Sequence, residues 1–431
     1  MNPLQPFYNM KIGVVDLSAS SADVIPLDKE LVIKHLGGAA MNSAILEQYQ
    51  GDPLIFGTGP LTGSFAPASS LMVASLVSPI FKRLCHIPFM LRTGPDMKFS
   101  GVDCLVVKGS APEQSILHVN RGKIQILSAG NLQHLPVPEA IRELKKKSPP
   151  FQSLMMTGPA ADRGVSFASV SIGPNGSLDK VGLASLIAKK NLKGIMLGGM
   201  DGLPFNSNNP YQGKELEKKI STDNNFKHRG FFSVLKKLDG GKYAGKSLKT
   251  SRKKDMACYH CPSPCMTHVT YSWHDPRDKE TQDAQDGLLL LDHMGCVALA
   301  KKAGNNILPV LKTCLYYGLD PAGVAERLPE GGTLPEYFHA IDKIMSDNPP
   351  HTTGVPEAHC RFGGGVPPIL AGDLWNKRVG LAMIIGVCPI FLLLFPQITD
   401  ADLLAFISTS EDVLETLRDS LSSTIDSLSK V

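Results

Sequence analysis

Cys258, Cys261 and Cys265 stand in a C-x₂-C-x₃-C run, Cys258-Tyr-His-Cys261-Pro-Ser-Pro-Cys265, and Cys388, followed by Pro389, stands alone far downstream. Three thiolates on one tight loop, with a fourth returned by the fold, form the donor set of a cubane [4Fe–4S] cluster. Zinc also takes four thiolates, usually as two C-x₂₋₄-C pairs or with added histidines. His260 inside the run and His268 just after it keep zinc open as an alternative, and incidental buried thiols are a third. The reverse order, C-x₃-C-x₂-C, would point to radical chemistry on a sulfonium cofactor. Pro262, Pro264 and Pro389 fix backbone angles and deny helix, which suits a loop wrapped round an inorganic core.

These cysteines must be positioned by a chain of 431 residues, 43% apolar and 19% charged. That length buries a large core and predicts two domains. Forty glycines and 32 prolines predict many turns and short elements. Nine cysteines, an odd number in a long chain, fit a reducing cytoplasm better than a disulfide scaffold. Cys85, Cys104, Cys296, Cys314 and Cys360 are read as buried thiols. No secretory leader is expected in residues 1–20. The longest apolar stretch, Gly380–Phe395, is too short for a membrane span and is broken by Pro389, so it is read as core around Cys388.

The net charge of +4 conceals an asymmetry. Between Lys214 and Lys254 there are 13 Lys/Arg against 4 Asp/Glu. The stretch is either a solvated surface or a docking patch for an acidic electron carrier, because opposite fields accelerate encounter. Nucleic acid is not expected, since no binding motif accompanies the charge.

The hydrophobic patterning predicts an α+β protein. Residues 1–203 form a β-rich domain with a few helices, and residues 204–431 form a mainly α-helical domain carrying the cysteines. Strands are predicted at Met10–Leu17, Ala22–Pro26, Pro53–Phe56, Leu71–Val77, Cys104–Lys108, Ser115–Val119, Lys123–Leu127, Ser153–Thr157, Ala168–Ile172 and Gly194–Leu197, bounded by Gly, Pro and Asn. Helices are predicted at Leu31–Gln50 and Leu183–Lys189, and later at Glu215–Ile220, Phe231–Leu238, Gly287–Lys302, Leu308–Tyr317, Pro335–Met345, Asp400–Ile407 and Ser410–Leu428. In the last of these, Val413, Leu414, Leu417, Leu421, Ile425 and Leu428 share one face, read as packing on the domain. The run Gly57-Thr-Gly-Pro60-Leu-Thr-Gly63 is not a dinucleotide fingerprint, because Pro60 and the lack of a following amphipathic helix exclude a Rossmann turn.

Several stretches, in order, resemble the aldehyde:ferredoxin oxidoreductase family. They are Pro53–Pro67 (PLIFGTGPLTGSFAP), Met97–Asp103 (MKFSGVD), Thr157-Gly-Pro-Ala160 with Phe167-Ala-Ser169, Lys189–Ile195 (KKNLKGI), the cysteine triplet, and Gly386-Val-Cys388. The resemblance covers most of residues 10–408. It implies a pterin-binding N-terminal domain of packed sheets and a [4Fe–4S] cluster held by Cys258, Cys261, Cys265 and Cys388. It also implies a tungsten or molybdenum bis-pterin that oxidises aldehydes or reduces carboxylates, and electron transfer to ferredoxin. A homodimer or a larger redox complex is compatible with it.

The pterin side departs from the family pattern. The family's bridging Arg is Leu71 here, and its Gly-Arg-Gly-Gly run is Asp179-Lys180-Val181-Gly182. Both opening aspartates of its D-x-x-G-L-[CD] signatures are absent, in Lys301–Asn306 and in Met383–Cys388. The residues that carry over are Lys180, Gly182 and Gly386 for the pterin and Asp286, with Asp283 nearly as good, for the pocket carboxylate. A pterin needs carboxylates and amides for its N–H donors and Arg forks for its phosphate. Two alternatives therefore stand beside a working oxidoreductase: a degenerate member that keeps only the cluster, as an electron-transfer or structural subunit, and a zinc-stabilised interaction module.

Overall fold

Alternating burial and a tight turn fold Lys11–Asp16 (β1) and Ser21–Pro26 (β2) into a hairpin. β1 lies parallel to Cys104–Lys108 (β6), beside which Leu54–Thr58 (β3), Met72–Val77 (β4) and Leu84–Phe89 (β5) follow antiparallel. The order of this six-stranded sheet is β2-β1-β6-β3-β4-β5. A second six-stranded sheet has the order β11-β10-β9-β12-β7-β8. Its strands are Ser115–Asn120 (β7), Lys123–Ser128 (β8), Ser153–Thr157 (β9), Val170–Ile172 (β10), Asn175–Gly176 (β11) and Leu192–Leu197 (β12). β3, β9 and β12 are buried along their whole length, as strands covered on both faces must be.

The computed structural model describes residues 4–173, 175–176, 181–199, 210–223, 230–231, 233, 252–273, 285–291, 294–348, 372–408 and 410–430. In the second half, helices at Met294–Ala303, Ile307–Tyr317, Leu334–Asp347, Gly372–Ile385, Pro389–Leu394 and Glu411–Lys430 dominate. The architecture is α+β, β-rich first and helical afterwards.

Two cores share the first sheet. Val15, Leu54, Phe56 and Leu105 point into a core with Leu117, Met155 and Ile195 of the second sheet. Their neighbours Ile55, Val73, Cys104 and Val106 point the other way, against Val379, Ile384, Phe391 and Leu421 of the C-terminal helices. The period-2 alternation of a strand thus ties the two halves of the chain together. The apolar stripe of the last helix joins this second core, with Leu417, Leu421 and Leu428 buried and Val413, Leu414 and Ile425 against it.

The structure differs from the patterning in three places. The region 31–50 is two helices, Lys29–His35 and Gly38–Leu46, with Leu36 in the left-handed region (φ 60°) between them. The break lets Gly38 approach the Met383 carbonyl so closely that a Cβ there would lie 1.8 Å from its oxygen. Residues 287–302 are not one helix: Gln285–Leu291 (β15) completes a three-stranded sheet with Arg252–Met256 (β13) and Met266–Trp273 (β14), and the helix begins at Met294. Pairing with β14 overrides the helical spacing there. β5, β13, β14 and the helices Thr93–Phe99, Val137–Lys147, Gly372–Ile385 and Pro389–Leu394 lie outside the predicted elements. Pro389, expected to deny helix, opens the last of these, because a first-turn residue needs no N–H partner. The stretch 231–238 is described only at 231 and 233.

Lys98 anchors the first sheet to the loop that follows β3. Its buried ammonium donates to the carbonyls of Phe7 (2.6 Å), Gly59 (2.7 Å) and Pro60 (3.3 Å) and lies over the Tyr8 ring. Burial pulls its pKa down to about 7, against the opposing charge of Asp103. Lys98→Met would remove a charged donor shared by these buried carbonyls, of which Gly59 keeps only the longer bond from Thr62 N–H (3.2 Å), so we expect a loss of about 3 kcal/mol or more in urea unfolding.

Candidate metal centre

The loop Gly59–Leu71 and the turn at Ile385–Cys388 meet through main-chain bonds. Leu61 N–H donates to the Ile385 carbonyl (2.9 Å), Leu71 N–H to Gly386 (3.3 Å), and Cys388 N–H to Ala68 (2.9 Å). Gly386 is left-handed (φ 91°), and a Cβ on it would lie 2.1 Å from Thr62 Oγ1. The helix Gly372–Ile385 stops there, and Pro389 opens the next helix with Cys388 as its N-cap. Arg378 secures the corner from within, its buried guanidinium donating to the carbonyls of Leu392, Phe395 and Ile398.

The cysteine triplet leaves β13 and returns into β14. Cys261 N–H closes a turn onto the Cys258 carbonyl (3.1 Å), and Ala68 N–H donates to the His260 carbonyl (2.9 Å). Ala68 therefore grips both the triplet loop and Cys388. Beyond β5, Leu91 N–H donates to Cys258 Sγ (3.3 Å) and its carbonyl accepts from Tyr259. The neighbouring Met90 sulfur accepts from Cys388 Sγ at 3.5 Å. Ala68, Leu91 and His260 all have positive φ (58°, 65° and 50°). Three non-glycine residues in the left-handed region, from three separate segments, converge on one loop. Such strain persists only where the surroundings over-determine it, and it gathers at functional sites.

The thiols are buried, Cys261 less than the others. Burial raises the Cys261 pKa, with the charges of Cys388 and then Cys258 adding to it. Cys388 is pushed up to about 12 by burial and by Cys258. Burial also raises Cys258. Cys258, Cys261 and Cys388 thus share one electrostatic neighbourhood, and Cys265 packs with Cys258 in a small apolar cluster with Met266 and Leu290. Two buried hydroxyls nearby, Ser70 Oγ and Ser263 Oγ, make no full hydrogen bond, although Ser70 favours the ionised form of the Cys258 thiol. Among the described residues no group of three or more His, Cys, Asp or Glu side chains is disposed to hold a single metal ion.

An iron–sulfur cluster fits this environment. Cys258, Cys261, Cys265 and Cys388 would hold it, Ser70 and Ser263 could donate to its sulfurs, and the Leu91 N–H already donates to the Cys258 thiol, the outer contacts that tune such centres. A bis-pterin does not fit the described residues. Leu71, Met383, Ile384, Ile385 and Val387 are fully buried in an apolar core, with no carboxylate or guanidinium at those positions to pair with a pterin ring or phosphate. The carried-over residues are placed as follows in the fold. Gly182 is a left-handed helix cap (φ 85°) facing Pro79, and Gly386 serves the loop contact. Lys180 and Asp283 lie outside the described residues. The Asp286 backbone pairs with Ser272 at the far end of β14, about 20 Å along the strand from the cysteine loop. The basic stretch 214–254 is described only in part, in the helix Pro210–Thr222, at 223, 230, 231 and 233, and in β13.

The sheet topology and the cysteine corner define a class of fold, a sheet-rich first half continued by a helical, thiol-bearing half. Residues 12–199 match the aldehyde ferredoxin oxidoreductase N-terminal domain. The tungsten-containing aldehyde ferredoxin oxidoreductase of Pyrococcus furiosus is 24% identical over 386 residues, 80% of this chain and 61% of that protein. The Pyrococcus horikoshii protein of that name is 29% identical over 147 residues, 34% of this chain and 24% of that one. An aliphatic sulfonate oxidoreductase, WOR-like subunit, of Pyrococcus furiosus is 23% identical over 222 residues, 46% of this chain and 35% of its own length. A solved structure, the active site complex BamBC of benzoyl coenzyme A reductase with 1,5 dienoyl-CoA, superposes with a TM-score of 0.64 at 19% identity, over 79% of this chain and 61% of that one. Residues 12–199 thus carry the N-terminal domain of the aldehyde ferredoxin oxidoreductase family in divergent form, and the chain spans less than two thirds of the length of these curated relatives.

The strain at Ala68 has a simple check. We expect Ala68→Gly to hold or raise the midpoint of thermal unfolding. Ala68→Val, β-branched at positive φ and in a closed core, should cost about 2 kcal/mol or more.

Proposed function

We propose that this chain is an iron–sulfur electron-transfer protein, with a [4Fe–4S] cluster on Cys258, Cys261, Cys265 and Cys388, working as a subunit of a larger redox assembly. One observation carries the reading. The Cys388 corner and the C-x₂-C loop are gripped by the same residue, Ala68, and ringed by left-handed backbone that has no other evident purpose. A cubane takes four thiolates, the number that the triplet and Cys388 supply. When bound, the cluster supplies one-electron storage and transfer. The protein's part is to exclude water, by burying the thiols, and to hold the sulfurs' hydrogen-bond donors at Leu91, Ser70 and Ser263. Lining amides and burial of this kind set a cluster's potential. The apolar wall at Leu71 and Met383–Val387 argues against a pterin reaction centre on these residues. A relative named as a subunit and a fold neighbour titled as a complex support an assembly. Thiolate ligands and thiols without disulfides among the described residues suit a reducing cytoplasm. Among the described residues no helix is long and apolar enough to cross a membrane.

A second reading keeps the catalysis in the relatives' names. The match across residues 12–199 favours a tungsten or molybdenum pterin that oxidises aldehydes. Metal analysis of one anaerobic preparation separates the readings. We expect about four iron and four sulfide per chain, with neither tungsten nor molybdenum. Stoichiometric tungsten or molybdenum would establish the second reading, stoichiometric zinc would replace both by an interaction module, and iron-free protein after anaerobic reconstitution would end the redox reading.

The ligand set is tested residue by residue. Cys388→Ala should remove most of the iron and the S = 1/2 signal of the dithionite-reduced protein. Cys314→Ala, at a buried thiol on the helix Ile307–Tyr317, should leave both unchanged.

A further inference from the structure

The two apolar clusters that carry the thiols meet at Met90. Cys388 belongs to the core of the C-terminal helices. Cys258 and Cys265 belong to the small cluster with Met266 and Leu290. Among the described residues, Met90 and Cys261 are the two that pack against both. The Met90 sulfur lies 3.5 Å from Cys388 Sγ.

The backbone delivers this side chain to the site. Met90 directly follows the last residue of β5. Its carbonyl accepts from Thr93 Oγ1 (2.9 Å) and from Thr93 N–H (3.4 Å), at the start of the next helix. Leu91, the residue after it, donates its N–H to Cys258 Sγ and is held at φ 65°. Fixed on both sides, the Met90 side chain touches the thiol site and is also partly exposed, whereas Phe89 before it is buried. A thioether is apolar and polarisable and accepts hydrogen bonds only weakly, so it fills an irregular gap without drawing water in.

We infer that Met90 is the water shield of the cysteine site, a positioning residue that acts through Cys388: its thioether covers the Cys388 sulfur and so keeps the potential of the bound cluster low. This role presupposes the cluster proposed above. One-electron reduction adds negative charge, and water that reaches the sulfurs stabilises that charge. Apolar cover withholds this stabilisation and favours the oxidised state. The Met90 sulfur is not required as a ligand, because the triplet and Cys388 already supply four thiolates. What the site needs at position 90 is volume and apolarity, which leucine shares.

The test uses the full chain reconstituted anaerobically, as wild type, Met90→Leu and Met90→Ala. At a fixed reducing poise we expect Met90→Ala to raise the reduced-to-oxidised ratio of the cluster about three- to tenfold, read from the S = 1/2 EPR signal. In D₂O its spin-echo modulation from deuterium should deepen, which a fold made only less stable would not show. Met90→Leu should match the wild type in both readouts, with the same iron content in all three proteins. Met90→Val, a smaller truncation, carries the same expectation as Met90→Ala and decides the matter if the alanine variant takes up no iron. Iron-replete truncations with the wild-type ratio and the wild-type deuterium modulation would overturn the shield and leave the cluster reading intact. A Met90→Leu protein that shifts as far as the truncations, or that loses its iron, would overturn it in favour of a direct role for the sulfur. Wild-type protein that takes up no iron would overturn the cluster reading and the shield together.

Discussion

The joining of the loop 59–71 to the turn 385–388 is the constraint on which the rest depends. Both segments are irregular backbone inside the protein, where every N–H and C=O must find a partner. Each supplies the other: Leu61 to Ile385, Leu71 to Gly386, Cys388 to Ala68. Close approach requires bare backbone at Gly59 and Gly386, where a Cβ would strike main chain or Thr62. The pairing brings the Cys388 thiol towards the triplet and lines the neighbouring ground with apolar side chains, Leu71 and Met383–Val387 among them.

The consequences run outward. Because Ala68 is held on one side by His260 and on the other by Cys388, the aromatic pair Tyr259–His260 is fixed relative to the thiols. Leu91, at the end of β5, closes the site from the first sheet through its N–H to Cys258 and its carbonyl from Tyr259. Three elements distant in sequence are thus committed to one small volume. A rigid setting of this kind would limit rearrangement around the proposed cluster when its charge changes by one electron. The relatives' names carry tungsten chemistry, yet family membership locates a fold, and activity belongs to the residues of a site.

Most strand positions in residues 11–197 are legible as local pattern, because β-branched runs bounded by Gly, Pro and Asn report burial directly, whereas their order in the two sheets is not. The third sheet was not. Gln285–Leu291 has leucines that satisfy a helical spacing as well as a strand, and only its partner β14 decides between them. The split at Leu36 was likewise invisible, since it exists to admit the Met383 carbonyl from a segment some 350 residues away. Arg378, Met90 and Leu91 carry no spacing or motif that marks them; their roles come from what they touch.

The sequence alone determined the candidate ligands, since a cysteine run of this spacing has few chemical uses, and it determined the alternation that makes the sheets. It also announced the loss of pterin-pairing side chains, because replacing Asp and Arg by Met and Leu removes hydrogen-bonding groups whatever the fold. Tertiary structure alone decided that position 388 meets position 258, that Phe65 faces water, and that the left-handed residues share one centre. Those outcomes are long-range: they depend on which backbone groups pair across hundreds of residues, and no local preference encodes that.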